Sequence, residues 1–538
     1  MNKFKLMDSP NLWQWIEMED NTEPEGIRER CTMDYISERF AEVKKSVEAK
    51  KNPQLKKMEI VAVEIYDQGT YEEPGMPPTG DLPSFCKVTL DSAIEGGRIA
   101  KIKVFLPLVW NGRLFGHPGG GLRMEMPFGW GEGVGGLDMY DVPSVARTLR
   151  NHGAGVVTDG SVKDNTWGFK KGTDELEWDL FMHWAFLGTH QMTAVAKVMC
   201  QIVYGEGPEY SYIFGASAGG RHTMSYVELF PQDYDGALPL CPAAPWFGHI
   251  ISEGWAYFVL NNENYKMPRA KLDEMQEAIL EKYGCTDKGY VDCAHTIDFD
   301  FFSLIGRETA AGPFTQRDAE ILKKIYDGPH YTDGRKMPGC DRIDPMVKFW
   351  RADLWLGLIP IEEDGSFSDF YVDRMGTIRQ VLSWAARDPE LRLEDITLED
   401  LDWLYDKGMS EFKFLEGQGI DLRGFKEKGG KVIYTMSTTD GMSPHAMSRK
   451  YFESVNRFFG KETDEFFKFY YVYGGAHTLV ADYVRGNQLA LGPACKALMK
   501  WVEEGVAPDE LETIAWDHEK NEPGFGPYAL PYTLDDPN

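Results

Sequence analysis

The sequence has few cysteines for its length, and they are irregularly spaced. Eight occur among 538 residues, and none of them form the C-x-x-C pairs that structural zinc sites use. This scarcity argues against a disulfide-stapled fold and favours reduced thiols in a reducing compartment. Two bridges stay open as alternatives in an oxidising compartment, Cys31 with Cys86 and Cys285 with Cys293.

Basic residues are outnumbered by acidic ones, 57 to 85, which gives a formal net charge of −28. Nucleic acids and anionic membrane surfaces attract basic proteins, so neither is an expected partner. The sequence contains no run of about 18 apolar residues, so no transmembrane helix is expected. Residues 1–10 also lack the apolar core of a signal peptide, which predicts a cytoplasmic protein unless an export signal has been removed.

Internal repeats and low-complexity segments are absent as well, and the apolar content of 43% is enough for an ordinary core. Short apolar strands alternate with helical spacing, as at residues 184–204, and this alternation predicts a doubly wound, mostly parallel α/β sheet. The strand pattern breaks off after residue 245 and resumes near residue 431. We therefore predict an N-terminal arm at residues 1–58. A sheet domain follows in two parts, at residues 59–245 and 429–538, and a lid at residues 246–428 is inserted between these parts.

The clearest chemical signal is a G-x-S-x-G turn between a short apolar strand and a helical run, with Ser217 at its centre. This pattern is the nucleophile elbow of an α/β-hydrolase, in which a sharp turn presents the serine hydroxyl. Gly215 and Gly219 let the strand and the helix approach closely, because a side chain at either position would crowd the turn. The motif predicts that Ser217 is a catalytic nucleophile.

A glycine cluster upstream of the elbow predicts an oxyanion hole. A strand runs into residues 119–121, where three consecutive glycines leave backbone N–H groups uncovered. A flexible turn is the alternative interpretation. We predict that the N–H groups of Gly120, Gly121 and Ala218 hold the negative charge that develops on a substrate carbonyl oxygen.

The other two members of a triad are expected in the chain order serine, acid, histidine. Asp440 comes just after the strand at residues 431–436, although a solvated aspartate before a glycine is the alternative. His477 lies in a glycine-rich loop just after a strand at residues 469–473. Eight of the eleven histidines precede His445 and cannot satisfy the order. His445 follows Asp440 too closely and His518 lies in a polar C-terminal stretch, so His477 is the predicted base.

These stretches resemble the tannase and feruloyl esterase family of α/β-hydrolases, which includes enzymes that cleave terephthalate monoesters. The resemblance covers roughly residues 82–530 and implies the same nucleophile, acid and base: Ser217, Asp440 and His477. The segments that carry the resemblance lie at residues 110–113, 219–221, 230–236, 314–316, 324–329, 429–434 and 501–508.

The resemblance implies hydrolysis of an aromatic carboxylic ester, such as a galloyl or hydroxycinnamoyl ester, through an acyl-enzyme. It implies a small-molecule substrate and no required cofactor. Fold analogy does not fix the scissile bond. Two alternatives therefore remain: an α/β-hydrolase that acts on a lactone or on a carbon–carbon bond next to a ketone, and a non-catalytic ligand-binding homologue. The oligomeric state is open, with a homodimer as one alternative.

The sequence departs from the family pattern in two places. Family members usually carry one cysteine before the serine and another after the histidine, which form a disulfide, whereas this chain has Ala216 and Thr478 there. The joint replacement fits a cytoplasmic setting. The family's calcium loop in the lid is only partly kept, with Asp287 and Asp292 as its remaining carboxylates. Because calcium prefers six to eight oxygens, we expect no bound metal, with calcium at these aspartates as the alternative.

Overall fold

The computed structural model describes most of the chain, and every structural statement below concerns the described residues. These are residues 4–7, 14–46, 48–72, 78–125, 144–162, 167–287, 289–291, 297–342, 354–355, 359–367, 369–475, 477, 487–517, 522–526 and 528–534.

The described strands are numbered in chain order. They are β1 Phe4–Leu6, β2 Ile16–Met18, β3 Met58–Tyr66, β4 Gly69–Tyr71, β5 Thr79–Leu82, β6 Phe85–Ala93, β7 Ile99–Pro107, β8 Arg113–Gly116, β9 Ala154–Thr158, β10 Tyr210–Ala216, β11 Gly236–Leu240, β12 Leu354–Trp355, β13 Ile359–Pro360, β14 Lys431–Ser437, β15 Phe467–Val472, β16 Asn487–Leu489, β17 Thr513–Asp517 and β18 Glu522–Phe525.

The described α-helices are numbered in the same way. They are α1 Ile27–Arg30, α2 Met33–Val43, α3 Glu48–Lys51, α4 Val145–Arg150, α5 Trp178–Met182, α6 Gly188–Tyr204, α7 Ala218–Leu229, α8 Trp246–Asn262, α9 Arg269–Tyr283, α10 Gln316–Tyr326, α11 Asp369–Ala386, α12 Leu398–Glu411, α13 Arg423–Glu427, α14 His445–Phe459 and α15 Leu491–Glu504.

A nine-stranded sheet in the order β15-β14-β11-β10-β8-β9-β7-β6-β3 forms the centre of the molecule. The strands from β15 to β9 are parallel to one another, and β7, β6 and β3 complete one edge in antiparallel pairing. This arrangement confirms the predicted doubly wound, mostly parallel α/β-hydrolase sheet. Loops that carry ligand-binding side chains gather at the carboxyl ends of such strands, which places the site there.

Helices cover both faces of the sheet because successive residues of a strand point to opposite sides. Along β10, Phe214 packs into an apolar core with Leu498 of α15, whereas Ile213 packs into a second core with Val227 of α7. Both strand residues are at most 2% exposed, as the near-continuous apolar sequence of a parallel strand predicts. The central strands are therefore fixed from both sides, which gives the loops at their ends a rigid base.

The segment that was predicted as a lid leaves the sheet after β11 and returns at β14, and these two strands are hydrogen-bonded neighbours. Its helices α8 to α12 share one large apolar core with α5 and the residues near Trp167. The predicted domain boundaries at residues 246 and 428 stay a prediction. At the other end of the chain, Ile36 and Phe40 of α2 pack against α6, so residues of the predicted arm also lie on the sheet domain.

One predicted helix differs from the structure. Residues 184–204 have helical spacing, but the α-helical hydrogen bonds of α6 begin only at Gly188, and a π-helical turn at residues 183–187 joins α5 to α6. Helical spacing alone does not distinguish the two windings, because a single π-helical turn is too short to show a period of its own. No described helix is both long enough and apolar enough to cross a membrane.

The described cysteines are all reduced thiols. Cys31 and Cys86 are buried and hydrogen-bond to each other, and this contact together with burial raises the pKa of the Cys86 thiol. The alternative disulfide between these two residues is therefore not formed in the structure. Cys285 is half-buried, and its alternative partner Cys293 lies outside the described residues.

Candidate active site

The elbow places Ser217 between the end of β10 and the start of α7. Ser217 has φ 58° and ψ −124°, a conformation that non-glycine residues rarely adopt. Its backbone is held from both sides, because its N–H donates to the Leu240 carbonyl at 2.9 Å and its carbonyl accepts from the Ala243 N–H at 3.0 Å. The residue is only half-buried, so the strained turn presents the hydroxyl at the end of the sheet.

Glycines at the elbow leave room for three backbone segments to meet. A Cβ at Gly215 would lie 2.2 Å from the Gly219 carbonyl oxygen, and a Cβ at Gly219 would lie 2.2 Å from the Gly119 carbonyl oxygen. Real Cβ atoms do not approach backbone atoms so closely. The strand, the elbow helix and the glycine loop that was predicted as an oxyanion hole are therefore in direct contact.

Gly219→Ala is expected to destabilise the protein and to lower its catalytic activity. The new methyl group would push the Gly119 loop away from the elbow helix, at a cost of about 2–3 kcal/mol in the free energy of unfolding. The matched control is Gly376→Ala in α11, where nothing lies within 4 Å of the added Cβ. This control should be neutral or stabilising by about 0.5–1 kcal/mol. Urea unfolding measures both changes, and equal effects of the two substitutions would contradict the crowding argument.

Asp440 and His477 meet at the carboxyl ends of β14 and β15. His477 Nδ1 lies 2.7 Å from Asp440 Oδ2, and both side chains are buried. The other carboxylate oxygen of Asp440 accepts the backbone N–H groups of Met442 and Ser443, each at 2.8 Å. With all these bonds made, the carboxylate is fixed to accept a hydrogen bond from the Nδ1–H group, which leaves Nε2 as the basic atom of the ring.

Hydrogen bonds tie the loop of the acid to the loop of the base. The Thr439 hydroxyl donates to the Gly475 carbonyl at 2.9 Å, and the Gly474 N–H donates to the Thr438 hydroxyl at 2.9 Å. Gly475 has no space for a side chain, since its Cβ would lie 2.5 Å from the carbonyl oxygen of Asn487. These bonds hold the two loops together without a disulfide. Of the two positions where family members have cysteines, Ala216 is buried and Thr478 lies outside the described residues.

The three predicted catalytic residues follow strands of one parallel sheet: Ser217 follows β10, Asp440 follows β14 and His477 follows β15. The loops that hold these residues therefore lie at the same edge of the sheet, where the strands end. His477 Nε2 is buried and has no hydrogen-bond partner among the described residues. The nucleophile–base hydrogen bond is often long without substrate and tightens only when the substrate is bound. The arrangement can support acyl transfer, and the individual roles of the three residues stay predictions.

The three predicted oxyanion donors differ in how their N–H groups are used. The Gly120 N–H donates to the Arg123 carbonyl at 3.0 Å, so in this conformation it is engaged within its own loop. Gly121 is exposed and has φ 61°, a left-handed conformation that suits glycine. Ala218 is the first residue of α7, where helical N–H groups have no acceptor within the helix. Local geometry thus favours Gly121 and Ala218 over Gly120 as donors.

Two further histidines lie buried around the site. Burial lowers the pKa of His249, in the first turns of α8, to about 3, and it lowers the pKa of His117, at the end of β8, also to about 3. Both imidazoles are therefore neutral at neutral pH. His249 interacts electrostatically with Asp440 and His477, which shows that α8 begins beside the predicted acid and base.

A buried arginine connects the elbow helix to the segment that was predicted as a lid. Arg221 is fully buried one turn after Ser217, and its guanidinium lies 4.5 Å from the centre of the Trp184 ring. It donates to the Leu415 carbonyl at 2.9 Å. Burial lowers the pKa of Arg221 to about 10, which still leaves it charged at neutral pH. The neighbouring Glu416 accepts the Phe247 N–H at 3.2 Å with one oxygen, while its other oxygen is buried and has no partner among the described residues.

Glu416→Gln is expected to flatten the dependence of stability on pH. Burial raises the pKa of Glu416 to about 7 in the folded protein, whereas an unfolded glutamate titrates near 4.5. Below the unfolded pKa both states hold the proton. Between the two values only the folded state holds it, so stability falls as pH rises through this window, by about 2–3 kcal/mol in total.

The measurement is the free energy of unfolding in urea at pH 4.5 and pH 8 for the wild type and the variant. A constant offset from the new amide cancels when the two pH values are compared. Parallel pH profiles for the two proteins would show that Glu416 does not hold a proton in the folded state.

Calcium at Asp287 and Asp292, the alternative to no bound metal, stays an untested alternative. Asp287 is exposed, and Asp292 lies outside the described residues. A different group of metal-ligating side chains comes together among the described residues. Its members are Cys241, Asp440 and His477. Cys241 was not predicted from the sequence, although a signal was available. It directly follows β11, just as Asp440 and His477 follow their own strands.

Comparisons with known proteins agree with this architecture. Residues 86–526 match the family described as tannase and feruloyl esterase. A probable feruloyl esterase of Arthroderma benhamiae is 27% identical over 483 residues, which cover 86% of this chain and 86% of that protein. A tannase of Aspergillus oryzae is 22% identical over 403 residues, covering 63% of this chain and 66% of that protein.

Solved structures show the same fold. Tannin acyl hydrolase from Aspergillus niger superposes with a TM-score of 0.75 at 21% identity, covering 95% of this chain and 93% of that one. Feruloyl esterase B from Aspergillus oryzae superposes with a TM-score of 0.72 at 17% identity, covering 92% and 96%. With a family match over most of its length, this chain belongs to the tannase and feruloyl esterase family of α/β-hydrolases and is a carboxylic ester hydrolase.

Proposed function

We propose that the chain hydrolyses aromatic carboxylic esters, of the galloyl, hydroxycinnamoyl or a similar phenolic class, through an acyl-enzyme on Ser217. The observation that carries this proposal is the 2.7 Å contact between His477 Nδ1 and Asp440 Oδ2, on the same sheet edge as the strained elbow. The substrate class follows from the relatives, which are a probable feruloyl esterase and a tannase.

The first half of the reaction makes the acyl-enzyme. His477 Nε2 takes the proton of the Ser217 hydroxyl as the oxygen attacks the ester carbonyl. The carbonyl oxygen becomes an oxyanion and accepts hydrogen bonds from the N–H groups of Ala218 and Gly121. The tetrahedral intermediate collapses, and the imidazolium returns the proton to the leaving alcohol.

The second half releases the acid. A water molecule gives a proton to His477 Nε2 and attacks the acyl-enzyme, and the collapse of this intermediate returns a proton to Ser217. Asp440 stabilises the imidazolium in both halves, and its two backbone hydrogen bonds fix the carboxylate so that it does not turn away. No step needs a cofactor, because the charge that develops is held by backbone dipoles and the buried carboxylate.

The test is the intact mass of the protein after brief incubation with a panel of candidates. The panel contains galloyl and hydroxycinnamoyl methyl esters, an aromatic lactone and an acyl-phenol ketone. We expect a transient mass increase equal to the aromatic acyl group, mapped to Ser217 by peptide analysis. An adduct on another residue, or turnover of the lactone or ketone alone, would overturn the proposal.

A further inference from the structure

The thiol of Cys241 lies next to the acid and the base of the predicted triad, but it has no part in the proposed acyl transfer. It lies at the carboxyl end of β11, between the strand that carries Ser217 and the strand that precedes Asp440. The ligand atoms of Cys241, Asp440 and His477 all lie within 4.8 Å of one another. The three side chains are 3%, 2% and 5% exposed, so water competes weakly for whatever they bind.

We propose that Cys241, Asp440 and His477 form an inhibitory binding site for a zinc-class divalent cation. A thiolate, a carboxylate and an imidazole are the three ligand types that zinc prefers, and three protein ligands leave a fourth position for water. A divalent ion with one thiolate and one carboxylate makes a site with no net charge, which burial favours. Calcium and magnesium require oxygen ligands and are not expected to bind.

The local geometry allows the site to close around an ion. Zinc bonds of about 2.0–2.3 Å place tetrahedral ligands about 3.5 Å apart. His477 Nδ1 and Asp440 Oδ2, now 2.7 Å apart, therefore have to separate by about 1 Å, and Cys241 Sγ is within reach of the ion because the ligand atoms lie within 4.8 Å of one another. The contacts of Cys241 include a weak hydrogen bond that its thiol donates to the Ser437 hydroxyl, with 3.5 Å between the two atoms. Ser217, on the same edge of the sheet, is only half-buried.

Binding would switch off the base through a change of tautomer. The thiol of Cys241 releases its proton to solvent, and the proton on His477 Nδ1 moves to Nε2 as the ion replaces it between the ring and Asp440. Nε2 then carries a proton and cannot accept one from Ser217. This inhibitory consequence rests on the proposed function, whereas binding of the ion does not.

The experiment uses the full-length chain without an affinity tag, first stripped of metal with a chelator. Co²⁺ replaces Zn²⁺ as the probe, because a thiolate ligand gives it a charge-transfer band in the near ultraviolet. We expect one Co²⁺ per chain with this band, displacement by Zn²⁺, and loss of fluorophosphonate labelling at Ser217 that the chelator reverses.

Two variants of the thiol and one matched control test the assignment. Cys241→Ser and Cys241→Ala should lose the band, weaken inhibition by Zn²⁺ at least about 10-fold and keep the activity of the metal-free enzyme. Cys340→Ser changes another buried thiol, in the lid, and should behave like the wild type. A band that persists without Cys241, or its absence from the wild type, would overturn the site. Failure of fluorophosphonate to label the metal-free wild type would instead count against the proposed function, because the cobalt spectrum does not depend on it.

Discussion

Replacing Ser217 with alanine is expected to lower kcat/KM for a phenolic ester by a factor on the order of 10⁵–10⁶. The loss is large because the remaining groups cannot form the acyl-enzyme, and only binding and the oxyanion donors still accelerate direct attack by water. The fold should be unaffected or slightly relaxed, since the φ of 58° at this position is as unfavourable for alanine as for serine. The measurement is steady-state hydrolysis together with urea unfolding.

Ser225→Ala is the matched control for this substitution. Ser225 lies on the same helix, two turns further on, and its hydroxyl donates to the Arg221 carbonyl within the helix at 3.2 Å. Loss of that bond should leave kcat/KM within about twofold. If Ser217→Ala retained more than a hundredth of the wild-type activity while remaining folded, Ser217 could not be the nucleophile.

Asp440→Asn should lower kcat by about 10⁴-fold with little change in the structure. One oxygen of Asp440 accepts two backbone N–H groups, so the asparagine amide must keep its carbonyl on that side. Its NH₂ group then faces His477 Nδ1 and donates to it. The ring is forced to carry its proton on Nε2, which can no longer accept the proton of Ser217. Pre-steady-state acylation of the enzyme measures this effect directly.

A second histidine–aspartate pair in the protein gives the control for that substitution. His190 Nδ1 lies 2.8 Å from Asp233 Oδ2 near the far end of the elbow helix. Asp233→Asn makes the same chemical change outside the predicted triad and should leave kcat within about twofold. Equal losses in the two variants would mean that general destabilisation, and not the tautomer of His477, explains the effect.

Several parts of the site could be predicted because they depend on local sequence. The elbow requires small residues around Ser217, and the packing of Gly215 and Gly219 against backbone atoms shows why. Asp440 and His477 could be located because parallel strands end at the same edge, so a polar residue directly after a strand lies near its counterparts. Neither inference needs knowledge of how distant segments pack.

Other parts depend on contacts that the sequence pattern does not encode. The engagement of the Gly120 N–H by Arg123 depends on how one loop folds on itself. The nearness of Cys241 to His477 depends on strand order, because β11 pairs with β14 across the whole segment that was predicted as a lid. The partners of Glu416 come from the elbow helix and from α8, which are far from it in the chain. The π-helical turn before Gly188 is a single turn, too short to show a period of its own in the sequence.

The long segment between two neighbouring strands also bears on the order in which the protein folds. Pairing of β11 with β14 closes a chain loop that contains the entire segment predicted as a lid, and the entropy cost of closure must be met before that contact stabilises anything. The elbow and its strand are synthesised before this segment, whereas the predicted acid and base are synthesised after it. A nascent chain can thus complete its elbow turn early, but it brings the predicted acid and base together only when the part of the chain from β14 onward has joined the sheet. We expect catalytic competence to be among the final properties that the folding chain acquires.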